Sequence, residues 1–370
     1  MQEQQNIFTS ESVCAGHPDK ICDRISDTIL DALIAQDPNA KAGIECVVGN
    51  NQISLFGEIN SVAKIDFKAL TLKTIEELGY TNPEWGFSSK SHFSNYLHQQ
   101  SPDISIGVED GGAGDQGMMF GFATRQTDTL MPLPIAIVHQ ITQKIDELRI
   151  NNTIRWLRPD GKAQVTLKYL GKNKFEVLKL VAAVAHSERV DHPTVRQSII
   201  KEVFEPILSK FNLRLPKANK DIIVNGTGLW HIPGPASDAG LTGRKIVVDG
   251  YGGYARVGGG AFSGKDPSKV DRSGAYAARY IAKNIVANGL ADQCEVGLAY
   301  VIGQSQPLML SFNTFNQKVD LAKLKRFSHN LIDTSVNGII TALDLKKPIY
   351  QLTSSYGHFG KDYLPWEKVV

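Results

Sequence analysis

The feature that most constrains the fold of this chain is an order of elements, helix, strand hairpin, helix, that occurs three times. In the first copy, isoleucine or leucine recurs every four residues between positions 21 and 33, which predicts one apolar helical stripe over 18–35. A hairpin follows, with strands over 43–48 and 53–59. A second helix is predicted over 65–78, because Gly79 is a typical helix stop.

The other two copies repeat this order with little residue-level likeness, so a chance coincidence of element order stays open. The second copy predicts a helix over 134–149, a hairpin over 163–185 and a helix over 193–209. The third predicts a helix over 267–288, a hairpin over 295–312 and a helix near 321–343. Prolines suited to a first helical position begin three of the helices: Pro18, Pro193 and Pro267. The expected fold is α+β, with three pseudo-symmetric units that each hold a sheet with helices on one face.

Glycine-rich stretches at 111–117 and 250–260 separate these units. We expect an N-terminal unit over 1–100, a central unit over 101–231 that includes an active-site loop, and a C-terminal unit over 232–370. The units are expected to be interwoven rather than strictly sequential.

Charge and cysteine usage exclude several classes of protein. The 40 basic and 38 acidic residues give a net charge of +2, which argues against a nucleic-acid binder or a polybasic membrane-surface protein. The first residues lack the basic and apolar regions of a signal peptide, and no apolar stretch is long enough to span a bilayer. Four cysteines follow no zinc or redox spacing, which favours buried reduced thiols. A cytoplasmic protein is the expectation.

Charged residues concentrate in glycine-bounded turns, which is unusual for ordinary surface charge. The turns hold cations (Lys20, Lys162, Arg244, Lys245, Lys265 and Lys269) and acids (Asp19, Asp115, Asp160, Asp238 and Asp271). Cations suit a polyphosphate and carboxylates suit Mg²⁺, so together they indicate a nucleoside triphosphate site. There is no nucleophile elbow, and this absence is informative only for a reaction that needs no covalent intermediate.

Each motif also has a simpler interpretation. Gly259-x4-Gly264-Lys265 matches most of a P-loop, but Asp266 stands where a magnesium-binding Ser or Thr is required and no apolar strand precedes it. Asp266 could instead cap a helix while the neighbouring lysines stay in solvent. His17 has two interpretations as well: it is either a functional residue or an ordinary polar cap before the proline that starts a helix.

Several long strings resemble the S-adenosylmethionine synthetase family. They are the segment from Phe8 to Lys20, Gly112-Ala-Gly-Asp-Gln-Gly117, Gly240-Leu-Thr-Gly-Arg-Lys245, Gly258 to Arg272, Tyr356-Gly-His-Phe-Gly360 and Pro365-Trp366-Glu367. The resemblance covers nearly the whole chain and implies the three-part pseudo-symmetric fold. It also implies that ATP and methionine form S-adenosylmethionine by attack of the thioether sulfur on ribose C5′. The hydrolysis of tripolyphosphate to pyrophosphate and phosphate, as the second step, is implied by the same resemblance.

The resemblance assigns expected roles to residues of this chain. Catalytic roles fall to His17, Lys162, Arg244, Lys245, Lys265 and Lys269. ATP contacts fall to the same His17, Lys162, Arg244, Lys245 and Lys265 together with Asp115, Asp160, Trp230, Asp238 and Ala261. Methionine contacts fall to Glu58, Gln100, Asp238 and Lys269. Asp19 and Asp271 match ligands of Mg²⁺, two ions per site, and Glu45 matches a ligand of K⁺. A homodimer or a dimer of dimers, with the active site between subunits, is also implied, with no nucleic-acid or membrane partner.

The chain departs from the family at three places near this site. Leu229-Trp230 replaces the usual Arg-Phe, with His231 and Pro233 also unusual, and Cys14-Ala15 replaces the usual Ser-Glu. The active-site loop before Gly112 is short, and a shorter gate is expected to alter closure and product release. We expect the core reaction to survive while nucleotide selectivity or rate differs. Two alternatives stay open: a tripolyphosphate or nucleotide hydrolase, and a non-catalytic regulatory subunit on the same fold.

Overall fold

Three sheets, each covered on one face by a long helix, make up the computed structural model, which describes residues 6–99, 111–171, 173–315 and 317–370. The strands are β1 (Ile7–Val13), β2 (Lys41–Gly49), β3 (Gln52–Asn60), β4 (His92–Gln99), β5 (Gly117–Thr124), β6 (Leu157–Gly171), β7 (Lys174–His186), β8 (Ile222–Val224), β9 (Gly240–Leu241), β10 (Gln293–Tyr300) and β11 (Met309–Asn313). The α-helices are α1 (Pro18–Gln36), α2 (Phe67–Glu77), α3 (Leu133–Ile150), α4 (His192–Ile199), α5 (Glu205–Lys210), α6 (Ile246–Asp249), α7 (Val270–Ala287), α8 (Leu321–Leu331) and α9 (Val336–Ala342).

The sheets exchange strands that are distant in the sequence. The N-terminal sheet has the order β4-β3-β2-β9, the central sheet β1-β6-β7-β8 and the C-terminal sheet β11-β10-β5. Helix α1 packs on the N-terminal sheet, α3 on the central sheet and α7 on the C-terminal sheet. Strand β9 pairs with β2 and also contacts α1, so the chain segments around positions 14–20 and 240–245 are brought together.

The α+β prediction is confirmed, and three element boundaries are corrected. The third-copy helix begins at Val270 with Lys269 as its N-cap, so Pro267 is not at a first helical position. The predicted helix over 193–209 contains a π-helical turn at Ile200–Phe204, and the final helix is two helices, α8 and α9. Within the described ranges, none of the helices combines the length and the apolar composition that a membrane span requires.

Helix α7 is fixed in the core by close packing and by buried ion pairs. A Cβ at Gly121 of β5 would clash with the backbone of Ala278 and Arg279, so glycine allows the helix to lie directly against the strand. Arg279 donates to both oxygens of Glu367, at 3.0 and 2.9 Å, and Lys283 donates to the same carboxylate at 2.9 Å. Neither Arg279 nor Glu367 has any exposed side-chain surface, so the C-terminal segment is anchored to α7 by fully buried charges.

We predict that Glu367→Gln lowers the free energy of unfolding by about 3–5 kcal/mol, because it leaves buried cations without their counter-charge. Urea denaturation of the purified variant measures this change. The control is Glu77→Gln, which removes an exposed helix pair with Lys73 and should cost less than about 0.5 kcal/mol. Equal stability of the Glu367 variant and the wild-type chain would contradict the structural role assigned to this carboxylate.

Candidate active site

His17 is the N-cap residue of α1 and is only 4% exposed. Its Nδ1 accepts a hydrogen bond from the backbone N–H of Asp19 at 3.2 Å, so the ring proton is carried by Nε2. Burial, followed by the positive charge of Lys245, lowers the pKa of His17 to about 3. The imidazole is therefore a neutral hydrogen-bond donor of fixed tautomer at physiological pH.

Asp19, two residues further along α1, collects two cations from the segment after β9. Lys245 Nζ lies 2.5 Å from Asp19 Oδ2, and Arg244 Nε lies 3.7 Å from Oδ1. Burial raises the pKa of Asp19, but hydrogen bonds from Lys245 and from the backbone of Leu241 outweigh it, so the net pKa is lowered. The carboxylate is ionised and lies beside His17 and both cations.

A second cluster is formed by the segment before α7. Lys265 Nζ lies 2.6 Å from Asp271 Oδ2. Lys269 Nζ lies 3.0 Å from Asp266 Oδ2 and 4.0 Å from Glu58 Oε1. The 263–269 segment therefore presents two lysines and holds each beside a carboxylate.

The N-terminal sheet places two acidic side chains beside this cluster. Gly43 of β2 forms a bridge with Lys265 and lies opposite Glu58 of β3. The pKa of Glu45 is raised overall. Burial is the main cause and the negative charge of Glu58 adds to it, while the positive charge of Lys265 acts in the opposite direction. Glu45 therefore interacts electrostatically with Lys265, and Glu58 with Lys269.

The central sheet supplies Asp160 and Lys162. Asp160 is 3% exposed, its Oδ2 accepts from the backbone N–H of Gly234 at 2.9 Å, and its Oδ1 has no partner in the described part of the chain. Burial raises the pKa of Asp160 to about 7, although Gly234 and Lys162 oppose the shift. Lys162 is exposed and pairs in register with Val13, so its charge also lowers the pKa of His17.

The segment that departs from the family pattern lies next to Asp160. Trp230 is half-buried and donates its Nε1 proton to the carbonyl of Ile232 at 2.8 Å, which fixes the ring. Leu229 is 60% exposed, and its side chain has no polar atom with which to bind a ligand. His231 Nδ1 lies 3.0 Å from the carbonyl of His186, an interaction that ties the segment to the end of β7.

The remaining predicted residues surround these clusters less closely. A Cβ at Gly243 would clash with Ala261, so the two glycine-rich segments touch at this point. Asp115 and Asp238 are exposed, and the Oδ1 of Asp115 accepts from the adjacent Gln116 N–H at 2.7 Å. Gln100 and most of the short loop before Gly112 lie outside the described residues.

Lys20 is not one of the site's cations, which corrects the sequence-based interpretation. It is 1% exposed, and its Nζ lies 2.9 Å from Asp23 and 2.5 Å from Asp249. These buried partners raise its pKa against the effect of burial, so Lys20 is a structural counterion below the site.

Asp266 is also not a helix cap. It accepts from the backbone N–H groups of Ala42 and Ser268, both at 2.9 Å, and from Lys269. Asp266, which stands where a P-loop would have Ser or Thr, therefore joins the lysine-bearing segment to β2.

The carboxylates of the site fit Mg²⁺ only in combination with a ligand's oxygens. In the described ranges no group of three or more His, Cys, Asp or Glu side chains is arranged to hold a metal. Mg²⁺ is commonly held by one or two carboxylates together with substrate phosphates and water. Asp19 and Asp271 fit that pattern as single oxygen donors, each now paired with a lysine.

Known proteins match the whole chain. Models of the N-terminal, central and C-terminal domains of S-adenosylmethionine synthetase match residues 5–102, 110–230 and 232–368. Two proteins named S-adenosylmethionine synthase, from two strains of Staphylococcus epidermidis, are each 46% identical over an alignment 389 positions long. Each alignment covers 100% of this chain and 97% of the relative.

Proposed function

The chain belongs to the S-adenosylmethionine synthetase family, and on this premise we propose that the two cation clusters and His17 form its methionine adenosyltransferase site. ATP and L-methionine are the substrates, and S-adenosylmethionine is the product. Two observations carry the proposal. Lys245 lies on Asp19 beside the neutral, buried His17. Lys265 lies on Asp271, in a segment that touches the Lys245 segment where Gly243 meets Ala261.

The proposed reaction is a direct displacement. The methionine sulfur attacks ribose C5′, the C5′–oxygen bond breaks, and the triphosphate leaves with the electron pair. A neutral thioether has no proton to lose, so no general base is needed, and catalysis rests on positioning and on charge at the leaving oxygen. His17 Nε2–H supplies a neutral donor, while Arg244, Lys245, Lys265 and Lys162 supply positive charge.

The other substrate contacts follow the same proposal. Glu58, Gln100, Asp238 and Lys269 hold methionine, and Asp115, Asp160, Trp230 and Ala261 contact the nucleotide. The Oδ1 of buried Asp160 has no partner among the described residues, which supports a polar ligand at this point, because an acceptor without a partner is costly.

Two Mg²⁺ ions and one K⁺ complete the proposed site. Asp19 and Asp271 would hold Mg²⁺, which neutralises triphosphate charge when bound, and Glu45 would hold K⁺. Lys245 and Lys265, which lie beside these carboxylates, would contact the triphosphate. Removal of Mg²⁺ with EDTA should abolish product formation, and replacement of K⁺ by Na⁺ should slow it.

We further propose that the chain forms a dimer or a dimer of dimers, with the site between subunits. The boundaries between its three units are proposed near residues 101 and 232. The proposed location is the cytoplasm. The location is supported by the four cysteines, which are all buried free thiols.

An assay with ATP, methionine, Mg²⁺ and K⁺ tests the function, with sulfonium product followed by mass spectrometry and phosphate release in parallel. Both products are expected together. Phosphate without sulfonium, also when tripolyphosphate is supplied directly, would identify a hydrolase instead. Absence of both would favour a regulatory subunit.

We predict that the 229–230 segment changes nucleotide use rather than the reaction type. The double variant Leu229→Arg with Trp230→Phe should change kcat/KM for ATP, or the ratio of kcat/KM for ATP to that for GTP, by about three- to tenfold. The reason is that arginine adds a positive charge at position 229 and phenylalanine replaces the larger ring at position 230. Steady-state kinetics with both nucleotides measures the change. Ile150→Ala, at an exposed position on α3, is the control, and equal constants before and after restoration would contradict the prediction.

A further inference from the structure

Helix α1 carries a row of four carboxylates, of which the proposed function uses only the first, Asp19, directly. Asp19, Asp23, Asp27 and Asp31 recur every four residues, which places one acid per turn along the same side of the helix. We call these four residues the carboxylate row. Each of them accepts a hydrogen bond from the backbone of a segment distant in the sequence.

The first two members of the row hold the segment that leads into Arg244 and Lys245. The N–H of Leu241 donates to Asp19 Oδ1 at 3.0 Å. The N–H of Gly243 donates to Asp23 Oδ1 at 2.8 Å. The backbone is thus fixed at alternate residues immediately before the two cations.

The intervening residue of this segment is held as well. Thr242 Oγ1 lies 2.9 Å from Ser26 Oγ of the same helix, and it accepts from the N–H of Cys46 at 2.8 Å. Side chains of α1 therefore contact three consecutive residues of the segment.

The third member holds the other cationic segment. The N–H of Gly264 donates to Asp27 Oδ1 at 2.8 Å, immediately before Lys265. Arg272 donates to both oxygens of Asp27, at 2.7 and 2.9 Å, and neither side chain is exposed. Gly264 has φ +82°, a conformation that favours glycine, so the bend before Lys265 is fixed by both backbone geometry and Asp27.

Buried cations make such a row tolerable. Like charges one helical turn apart repel, and each buried carboxylate needs a partner. Lys20 pairs with Asp23, Arg272 pairs with Asp27, and Lys245 pairs with Asp19. Lys20 is buried because it neutralises Asp23. The other oxygen of Asp23 is thereby left to accept from the backbone N–H of Gly243.

We propose that Asp23 and Asp27 are positioning residues for the transfer reaction. Asp23 sets the backbone before Arg244 and Lys245, and Asp27 sets the backbone before Lys265, so that one rigid helix places both cationic segments relative to His17 at its own N-terminus. The proposal rests on the proposed role of these cations at the triphosphate. Burial raises the pKa of Asp23 to about 7, while Lys20 and the Gly243 N–H favour its ionised form, in which its hydrogen bonds to amides are stronger than those of a neutral group.

Asp31 provides the matched control within the same row. Its two oxygens accept from the backbone N–H groups of Tyr350 and Gln351, at 2.9 and 2.8 Å, and neither partner has a proposed substrate role. Asp31→Ala therefore removes a structurally similar anchor without touching either cationic segment.

Hydrogen exchange tests the anchoring itself. In Asp23→Ala, amide exchange of a peptide over 241–245 should accelerate by about tenfold, while a peptide over 262–266 keeps its rate. Asp27→Ala, which removes the acceptor of the Gly264 N–H, should accelerate the 262–266 peptide instead. Asp31→Ala should accelerate neither. Uniform acceleration across the chain, or none, would overturn the positioning role.

Kinetics tests the consequence for the reaction. Misplaced groups cost up to about 100-fold in rate, so Asp23→Ala should lower kcat for sulfonium formation at least about tenfold with little change in KM for methionine. Asp23→Asn, which keeps an oxygen acceptor for Gly243, should restore part of that loss, and it remains usable if the alanine variant fails to fold. Asp31→Ala should stay within about threefold of the wild type.

The two readouts separate failure of this proposal from failure of the proposed site. Local acceleration of exchange with unchanged kcat would show that Arg244 and Lys245 are not needed at the triphosphate, and would overturn the site assignment. Lost kcat without local acceleration would overturn the anchoring by Asp23. Local acceleration together with lost kcat is the expected result.

Discussion

Replacing His17 with asparagine should lower kcat for sulfonium formation by about 100-fold or more, because a preorganised donor at a leaving oxygen is typically worth that much. KM for ATP should change by less than about threefold, since the ring matters most where charge develops in the transition state. Steady-state assays with variable ATP at saturating methionine separate the two constants.

Asparagine is a demanding test because it preserves the structural role of His17. It is a favoured N-cap residue and can still accept from the N–H of Asp19, so α1 should start at the same place. The melting temperature should therefore be close to that of the wild type. Unchanged kcat in a folded variant would remove the His17 ring from the mechanism.

Replacing Lys265 with methionine should reduce kcat/KM for ATP by about 100- to 1,000-fold, because it removes a cation from the developing triphosphate charge. Methionine keeps the length and apolar stem of lysine. Since Lys265 and Asp271 are each about one-fifth exposed, loss of their pair should cost about 1 kcal/mol or less in stability. Activity and urea denaturation measured on the same preparation distinguish the two effects.

Lys41→Met is the control for this prediction. Lys41 lies on β2 close to the same segment, 3.9 Å from Asp266, but is 37% exposed and has no proposed contact with substrate. It should retain activity within about threefold of the wild type. An equal loss in both variants would mean that the net charge of the region, rather than Lys265 itself, supports the reaction.

Helices with a strong apolar period were predictable from the sequence, and edge strands were not. The isoleucine stripe of α1 predicted its start at Pro18 and its end within one residue. Strand β4 has no clean alternation of buried and exposed residues, because it is an edge strand paired in parallel with β3. Strand β1 pairs with β6, which is distant in the sequence, and no local pattern indicates this pairing.

The start of α7 was predicted wrongly because local and tertiary preferences conflict there. A proline at position 267 is typical of a first helical turn. Asp266 instead accepts from the N–H and Oγ of Ser268 and from Ala42, which holds the backbone in a turn until Lys269. The tertiary contact with β2 thus delays the helix by three residues.

Candidate site residues were found by charge in glycine-bounded turns, a criterion that fails when the charge is buried. Lys20 met it and proved to be a counterion of Asp23 and Asp249. Asp23 and Asp27 did not meet it, because they lie inside a helix rather than in a turn. The signal that would have found them is the four-residue spacing of acids alongside the isoleucine stripe. The substrate roles of the other residues stay predictions.

The central claim is that this site performs one direct displacement at C5′, supported by cations and a neutral histidine, with no covalent enzyme intermediate. ATP made chiral by a single deuterium at C5′ tests it most directly. After turnover with methionine, the configuration at C5′ of the isolated sulfonium product is read by NMR. The account predicts inversion, as a single in-line attack requires. Retention of configuration would require two successive displacements, and therefore a nucleophile on the enzyme that contradicts the account.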